Sequence, residues 1–266
     1  MWPFLMEGLP TYGIMLITGI FFAIITFRIM GKSLFTDHET MFDYALIMLL
    51  SGLFGARILH VVVKGGIYFQ NPLNILRIND GGFTFLGGIL GGAVVLIVFR
   101  KKIPVMRFAD ISAVSVAIAH FFGRMGCNFA GCCWGKATSC KLCSLKFTSK
   151  SAVEEFYKGT GNINGINQFR LPVQLMEAAL VLGIFIFLII YNTKKRFDGQ
   201  LLAIYMIIYG GGRFLLEIIR DDPGRGYLFR LNLSGGDMQC CFTSQIIGLI
   251  MLVGGIFIIR RKLRKL

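Results

Sequence analysis

The chain alternates between long apolar runs and short polar segments. A membrane-spanning helix needs roughly twenty consecutive apolar residues. Seven runs approach or reach this length, at about 11–30, 42–63, 82–99, 108–126, 173–193, 199–219 and 243–260. The pattern predicts an all-α integral membrane protein with about seven transmembrane helices, organised as a single membrane domain over residues 1–266.

Composition supports this class. Hydrophobic residues make up 55% of the chain and charged residues 16%, against roughly 25% charged residues in soluble domains. The net charge of +14 would suit nucleic acid, but the basic residues lie in short clusters between apolar runs. A groove of interleaved aromatic and basic residues is not visible in the sequence. We therefore expect the bilayer, and not nucleic acid, as the environment of the chain.

The basic clusters predict the orientation. Arg28, Lys32 and the segments 100–107, 194–196 and 260–265 all fall on one side of a seven-span chain. Short basic loops favour the cytoplasmic side, so we expect the N-terminus outside and the C-terminus inside. The first run lacks a basic leader and a clear cleavage site, and is predicted to be a retained span.

The loop 127–172 would then lie on the outer face, with a small insertion at 136–171 that is too short to be a catalytic domain. It carries five cysteines: Cys127, Cys132, Cys133, Cys140 and Cys143. Zinc, an iron–sulfur cluster or a redox dithiol are all chemically possible. Because no histidine or second clean C-x-x-C follows, the pattern favours a disulfide or free thiols, and no metal. Cys240 and Cys241 lie on the same side, so a disulfide between the loops is a further expectation.

Apart from the basic clusters at the ends of the runs, three arginines lie within the apolar runs: Arg57, Arg124 and Arg213. A charged side chain inside a membrane is costly and by default marks a functional site. Arg124 ends the fourth run among glycines. Arg57 follows Gly55 and Ala56, where either a buried charge between close helices or an arginine reaching the headgroups fits the sequence.

The segment 79–92 contains six glycines. Each weakens a helix by roughly 1 kcal/mol relative to alanine. Close helix approach, a backbone that lines a polar cavity, and plain packing of small residues all remain open.

Tyr209, Arg213, Glu217 and Arg220 form a polar stripe at helical spacing, in which Arg213 and Glu217 can pair. The stripe is either a self-neutralising ion pair or, together with Arg124, a phosphate site, since guanidinium groups bind phosphate oxygens through paired hydrogen bonds.

The fifth span opens at Pro172, a residue that suits a helix start. Gln174 and Glu177 are three residues apart and share one helix face. A carboxylate one turn inside a span needs a partner.

Together these residues resemble the bacterial prolipoprotein diacylglyceryl transferases, from Tyr12 to the seventh span. The resemblance rests on five motifs in order: Gly55-Ala56-Arg57, D-G-G-x-x-F-x-G-G at 80–88, G-R-x-G…G-x-x-W-G at 123–135, Pro172-x-Gln174-Leu175-x-Glu177, and Tyr209-x-x-x-Arg213-x-x-x-Glu217-x-x-Arg220. It implies an enzyme of the bacterial inner membrane. Such an enzyme moves diacylglyceryl from phosphatidylglycerol to the lipobox cysteine thiol in the signal peptide region of a preprolipoprotein, and releases glycerol phosphate.

The resemblance also implies residue roles. Arg124 and Arg213 would clamp the phosphate, Glu217 would orient Arg213, and Tyr209 would line the same site. Substrate binding would involve Arg57, Gly87, Gly88, Gly126, Gly135, Gln174, Glu177 and Arg220. No metal or organic cofactor is implied.

The chain departs from the family pattern at three positions. Leu86 replaces a histidine often proposed as a base, and Cys127 and Cys132 replace an asparagine and a glutamate, as in a cysteine-containing branch of the family. His120 could supply a base or serve in packing. Two other readings stay open: a non-catalytic relative that binds anionic phospholipid or lipoprotein segments, and an outer-face thiol-redox or metal membrane protein.

Overall fold

The computed structural model is predominantly helical. It describes residues 4–6, 9–32, 34, 37–70, 72–75, 84–141, 143–147, 151–160, 165, 168–222, 227–233 and 236–264. The α-helices are α1 (Thr11–Gly31), α2 (His38–Val63), α3 (Gly65–Gln70), α4 (Phe85–Val98), α5 (Val105–Ala130), α6 (Ala152–Gly159), α7 (Val173–Tyr191), α8 (Gln200–Ile219) and α9 (Thr243–Leu263). The strands are β1 (Phe4–Met6), β2 (Leu9–Pro10), β3 (Tyr227–Leu233) and β4 (Gly236–Phe242).

The long helices coincide with the seven predicted runs. Five of them, α1, α2, α5, α7 and α8, are long and apolar enough to cross a membrane, and α4 is a shorter apolar helix. Large apolar side chains such as Ile190 and Leu215 remain 64% exposed, as expected for a lipid-facing surface. The prediction of an all-α multi-pass membrane protein is confirmed. The antiparallel hairpin of β3 and β4, between the last two long helices, was not predicted.

The chain divides into two compact units, residues 27–109 and residues 1–26 with 110–266. In the first unit, α2 and α4 contact each other through glycines, Gly55 on α2 and Gly87 and Gly91 on α4. A Cβ on Gly87 would overlap the carbonyl of Gly55, and Ser51 Oγ donates to the Gly91 carbonyl at 2.7 Å. The glycines on α4 therefore permit close helix approach, one of the alternatives left open by the sequence. Residues 79–83 of that segment lie outside the described residues.

In the second unit, glycines again bring helices together. A Cβ on Gly210 of α8 would lie 2.5 Å from the Gly248 carbonyl of α9. The start of α8 is fixed by Asp110 of α5, which is fully buried and accepts hydrogen bonds from the backbone N–H groups of Gly199 and Leu202, both at 2.9 Å. These bonds satisfy N–H groups that a helix start leaves without partners, and they fix α8 against α5.

The segment between α5 and α7 has a small core of its own. Trp134, Phe147 and Val153 are buried together, with Phe156 and Tyr157 of α6 packed against them. Its backbone is tied to the ends of α7 and α8: Lys136 N–H donates to the Ile219 carbonyl at 2.9 Å. The predicted single domain with an outer-face insertion at 136–171 stays a prediction.

Candidate functional site

A buried carboxylate joins three helices. Glu177 of α7 is 1% exposed. Its Oε1 lies 3.0 Å from Arg124 Nη2 of α5 and accepts a hydrogen bond from the Tyr209 hydroxyl of α8 at 2.9 Å. Its Oε2 lies 3.5 Å from Arg213 Nη1. Glu177, the carboxylate predicted to need a partner, therefore pairs with two arginines, one through each carboxylate oxygen.

A second buried carboxylate extends this cluster. Glu217 Oε2 lies 2.7 Å from Arg213 Nη2, which confirms the predicted pair, and 3.8 Å from Arg220 Nη1. Arg220 also makes a two-point contact with Asp222, in which Nη2 donates to Oδ2 at 3.0 Å. Together with the pairs around Glu177, three guanidinium groups face three carboxylates, so these six side chains carry no net charge. We call this set the arginine–carboxylate cluster.

His120 packs against the arginine–carboxylate cluster. Its Nε2 lies 3.3 Å from Arg124 Nε and 3.6 Å from Glu177 Oε1, and its Nδ1 lies 3.4 Å from the Tyr205 hydroxyl. The ring also meets the Tyr209 ring edge-on at 4.8 Å. These contacts favour the packing and hydrogen-bonding role over the role of a base.

The arginine–carboxylate cluster retains capacity for an anionic ligand. Arg213 Nη1 is buried and contacts Glu177 Oε2 as an ion pair at 3.5 Å, without a hydrogen bond of standard geometry among the described residues. The Arg124 side chain is 17% exposed, against 7% for Arg213. So long an ion pair leaves hydrogen-bonding capacity on the guanidinium group, and phosphate oxygens are strong acceptors for guanidinium. Such preorganised donors can stabilise negative charge on a bound group.

Gln174, on the same face of α7 as Glu177, reaches a different target. Its Nε2 donates to the backbone carbonyl of Cys132 at 2.7 Å, and it is 1% exposed. This bond ties the start of the cysteine loop to α7.

Gly126 and Gly135 lie at close contacts. A Cβ on Gly126 would lie 3.0 Å from the Tyr12 ring, and one on Gly135 would lie 2.6 Å from the Leu171 carbonyl. Gly135 therefore leaves no room for a side chain against the backbone, and Gly126 allows close packing of the Tyr12 ring. Their predicted part in shaping a substrate cavity stays a prediction.

The remaining predicted binding residues lie in the unit 27–109. Arg57 Nη2 and Nε donate to the carbonyls of Asn74 and Ile75 at 2.8 and 3.1 Å. Gly87 and Gly88 lie on the face of α4 that packs against α2. A substrate-binding role for these three residues stays a prediction.

Three cysteines converge next to the end of α5. The Sγ atoms of Cys127, Cys132 and Cys133 lie within 4.8 Å of one another, and all three thiols are free and half-buried. The Cys132 thiol donates to the Cys127 carbonyl at 3.7 Å. The neighbouring thiols of Cys127 and Cys132, together with Arg220 and Arg124, lower the pKa of the Cys133 thiol below its usual value. We call these residues the thiol cluster.

The other cysteines do not belong to the thiol cluster. Cys140 and Cys143 are exposed. The side chains of Cys240 and Cys241 lie outside the described residues, so the predicted disulfide between the loops is not tested.

The fold and these contacts define a multi-pass membrane protein whose helices α5, α7 and α8 enclose an arginine–carboxylate cluster. The model of the family "Prolipoprotein diacylglyceryl transferase" matches residues 5–261. The chain therefore belongs to this family, and it is a transferase.

Curated relatives agree with this assignment. The chain is 30% identical to "Phosphatidylglycerol--prolipoprotein diacylglyceryl transferase 2" of Clostridium perfringens over 250 aligned residues. The aligned region covers 93% of this chain and 89% of the relative. It is also 30% identical over 249 residues to the corresponding transferase of Clostridium tetani, with 93% and 90% covered. For the transferase of Streptococcus pyogenes the identity is 29% over 233 residues, with 86% and 82% covered.

Proposed function

We propose that this protein transfers a diacylglyceryl group from phosphatidylglycerol to the lipobox cysteine thiol of a preprolipoprotein, and releases glycerol phosphate. Family membership and the activity for which the relatives are named support the reaction class. The observation that carries the proposal is the arginine–carboxylate cluster, in which one buried carboxylate, Glu177, contacts both Arg124 at 3.0 Å and Arg213 at 3.5 Å.

Arg124 and Arg213 act together in this proposal. Glu177 lies between them, at 3.0 and 3.5 Å, and fixes both guanidinium groups before a lipid binds. A phosphodiester that enters the site adds one negative charge to a neutral cluster, so its oxygens must be bound by hydrogen bonds from the guanidinium groups. As the bond from carbon to the phosphate oxygen breaks, charge grows on that oxygen, and fixed donors stabilise it more than they stabilise the bound lipid. Glu217 and Tyr209 hold the arginine and the carboxylate in these positions.

We propose the membrane orientation predicted by the basic clusters. The protein spans the bacterial inner membrane with its N-terminus outside and its C-terminal cluster, Arg260 to Lys265, in the cytoplasm. The thiol cluster and the ends of α5 and α8 then lie near the outer leaflet, where a preprolipoprotein signal peptide would present its lipobox.

The test uses the full chain in nanodiscs with a lipobox peptide. We expect product with phosphatidylglycerol and with the cysteine peptide, and none with phosphatidylethanolamine or with a serine peptide. Arg124→Ala should abolish most of the product, whereas Arg100→Ala, at an exposed arginine, serves as the matched control. The same pair of variants in a strain depleted of its own transferase tests the activity in cells. No product from the correctly inserted native chain would reject the transferase.

A second candidate function has one observation in its favour. Leu86, half-buried on α4, cannot accept a proton at a position where the resemblance to the family implies a histidine. A non-catalytic relative would bind phosphatidylglycerol through the same arginines without transfer. Lipid binding that is lost in Arg124→Ala, with no product from the native chain, would favour this candidate over the transferase.

A further inference from the structure

The spacing of the three sulfur atoms in the thiol cluster is close to the spacing around a bound metal ion. Zn–S bonds are about 2.3 Å long, so three sulfurs around one zinc ion lie about 4 Å apart. The three Sγ atoms lie within 4.8 Å of one another, so small side-chain rotations bring them to this spacing. Among the described residues, this is the single group of three or more histidine, cysteine or acidic side chains close enough to share an ion.

The backbone adopts an unfavourable left-handed conformation at Cys133, the third residue of the thiol cluster. Cys133 has φ of +60°, and it is the only non-glycine residue with a positive φ in the part of the chain that the structure describes. Gly131 turns the chain two residues earlier with φ of +69°. Left-handed backbone at a non-glycine residue costs on the order of 1 kcal/mol or more, and such residues cluster at functional sites.

Neighbouring contacts hold this turn in place. Cys132 N–H donates to the Cys127 carbonyl at 3.1 Å, and Gln174 Nε2 donates to the Cys132 carbonyl at 2.7 Å. A Cβ on Gly131 would lie 2.7 Å from the Ser151 Cβ, so the turn is also packed from outside. The three thiols are thus fixed relative to one another by groups that do not themselves bind a metal.

Charge and exposure also fit a metal ion. Thiolates are the soft ligands that zinc prefers, and three of them around Zn²⁺ leave one net negative charge. Arg124 lies three residues before Cys127 on α5, so its guanidinium group shares a helix face with the first thiol of the cluster. The thiols are half-buried and therefore reachable. Zinc sites with three protein ligands keep a fourth position for water or substrate and are the catalytic type.

We propose that Cys127, Cys132 and Cys133 bind one Zn²⁺ ion, whose fourth position takes the acceptor thiol of the lipoprotein substrate. This inference rests on the proposed function. A thiol that binds zinc does so as the thiolate, and its proton goes to solvent. The sulfur then attacks the glyceryl carbon: the S–C bond forms, the C–O bond to phosphate breaks, and its electron pair leaves on glycerol phosphate. In this proposal zinc does the work of a general base, because it favours the thiolate form of the acceptor.

The first test is the metal content of the purified full chain in nanodiscs. We expect one zinc ion per chain, lost in the triple variant Cys127→Ser, Cys132→Ser, Cys133→Ser. The double variant Cys140→Ser, Cys143→Ser is the matched control and should keep the ion, because both cysteines lie outside the thiol cluster. Zinc that is missing from the native chain after incubation with excess ZnCl₂, or that persists in a folded triple variant, would overturn the site.

The second test addresses the fourth position. Cobalt in place of zinc should give sulfur-to-metal charge-transfer bands, which grow when a lipobox cysteine peptide is added and do not change with the serine peptide. Unchanged bands with the cysteine peptide would overturn the role in acceptor binding. Failure of this inference is distinct from failure of the proposed function. Transfer of diacylglyceryl by a zinc-free chain would reject the role of zinc alone. A zinc-loaded chain that transfers no diacylglyceryl would reject the proposed transferase activity.

Discussion

Two buried arginines in this protein are satisfied in different ways. Arg57 donates to the backbone carbonyls of Asn74 and Ile75 and lies 5.5 Å from the centre of the Tyr68 ring. Arg213 instead lies between two carboxylates, with a close contact of 2.7 Å to Glu217 and a longer one of 3.5 Å from Nη1 to Glu177. The first arrangement anchors a turn, and the second balances charge while leaving a donor for a ligand. Burial of an arginine in a span is therefore weaker evidence of function than the kind of partner it has.

The largest effect should follow from removing the shared carboxylate. Glu177→Ala leaves Arg124 and Arg213 without their common partner in a buried site. Breaking a buried ion pair from one side costs about 3–5 kcal/mol, so the free energy of unfolding in detergent should fall by this amount. Glu155→Ala, at an exposed glutamate of α6, is the control and should change it by less than about 0.5 kcal/mol. Equal stability of the two variants would mean that the arginines have other partners.

The next effect concerns the rate of transfer. Arg213→Gln keeps a polar side chain but removes the charge and the paired donors. Loss of one preorganised donor at a reacting oxyanion typically costs about 10²–10³-fold in kcat, and we expect a loss in this range per folded chain. Arg213→Lys should recover only part of it, because lysine cannot bind two phosphate oxygens side by side. If Arg213→Gln transferred diacylglyceryl at the native rate, the arginine–carboxylate cluster would have a structural role only.

The helices of this fold were predictable because membrane insertion imposes their length and apolarity. The predicted runs 173–193 and 199–219 became α7 and α8 with ends within two residues. The pair of Arg213 and Glu217 was equally predictable, since residues four apart on a helix always face each other. What can be inferred from a single helix was therefore inferred correctly.

The parts that depend on several helices were not predictable. Nothing in the spacing of Gln174 and Glu177 shows that one reaches the Cys132 carbonyl and the other reaches Arg124. Asp222 was missed as the partner of Arg220, although two acidic residues directly after an arginine are a usable signal. The thiol cluster was missed as a group because it requires the left-handed turn at Cys133, which a cysteine in the sequence does not indicate.

The glycine contact of α2 and α4 should give a smaller and strictly local effect. Gly87→Ala places a Cβ against the Gly55 carbonyl, which cannot move without shifting the helix. Overpacking of this kind costs about 1–3 kcal/mol of unfolding free energy. Gly88→Ala is the matched control on the adjacent residue, because its Cβ would lie 3.5 Å from the Gly52 carbonyl, an ordinary contact. Equal destabilisation by both substitutions would mean that helix propensity, and not close approach, governs this segment.

The smallest effect should come from Arg57→Lys, which keeps the charge but loses the fork that reaches two carbonyls. Loss of one such hydrogen bond costs about 0.5–1.5 kcal/mol, measurable as a lower free energy of unfolding. Because the Arg57 donors go to Asn74 and Ile75, we expect the transfer rate per folded chain to fall by a smaller factor than in Arg213→Lys. An equal or larger fall in rate, with unchanged stability, would show that Arg57 meets the lipid. Arg57 and Arg213 would then both take part in lipid binding, although their partners in the protein differ.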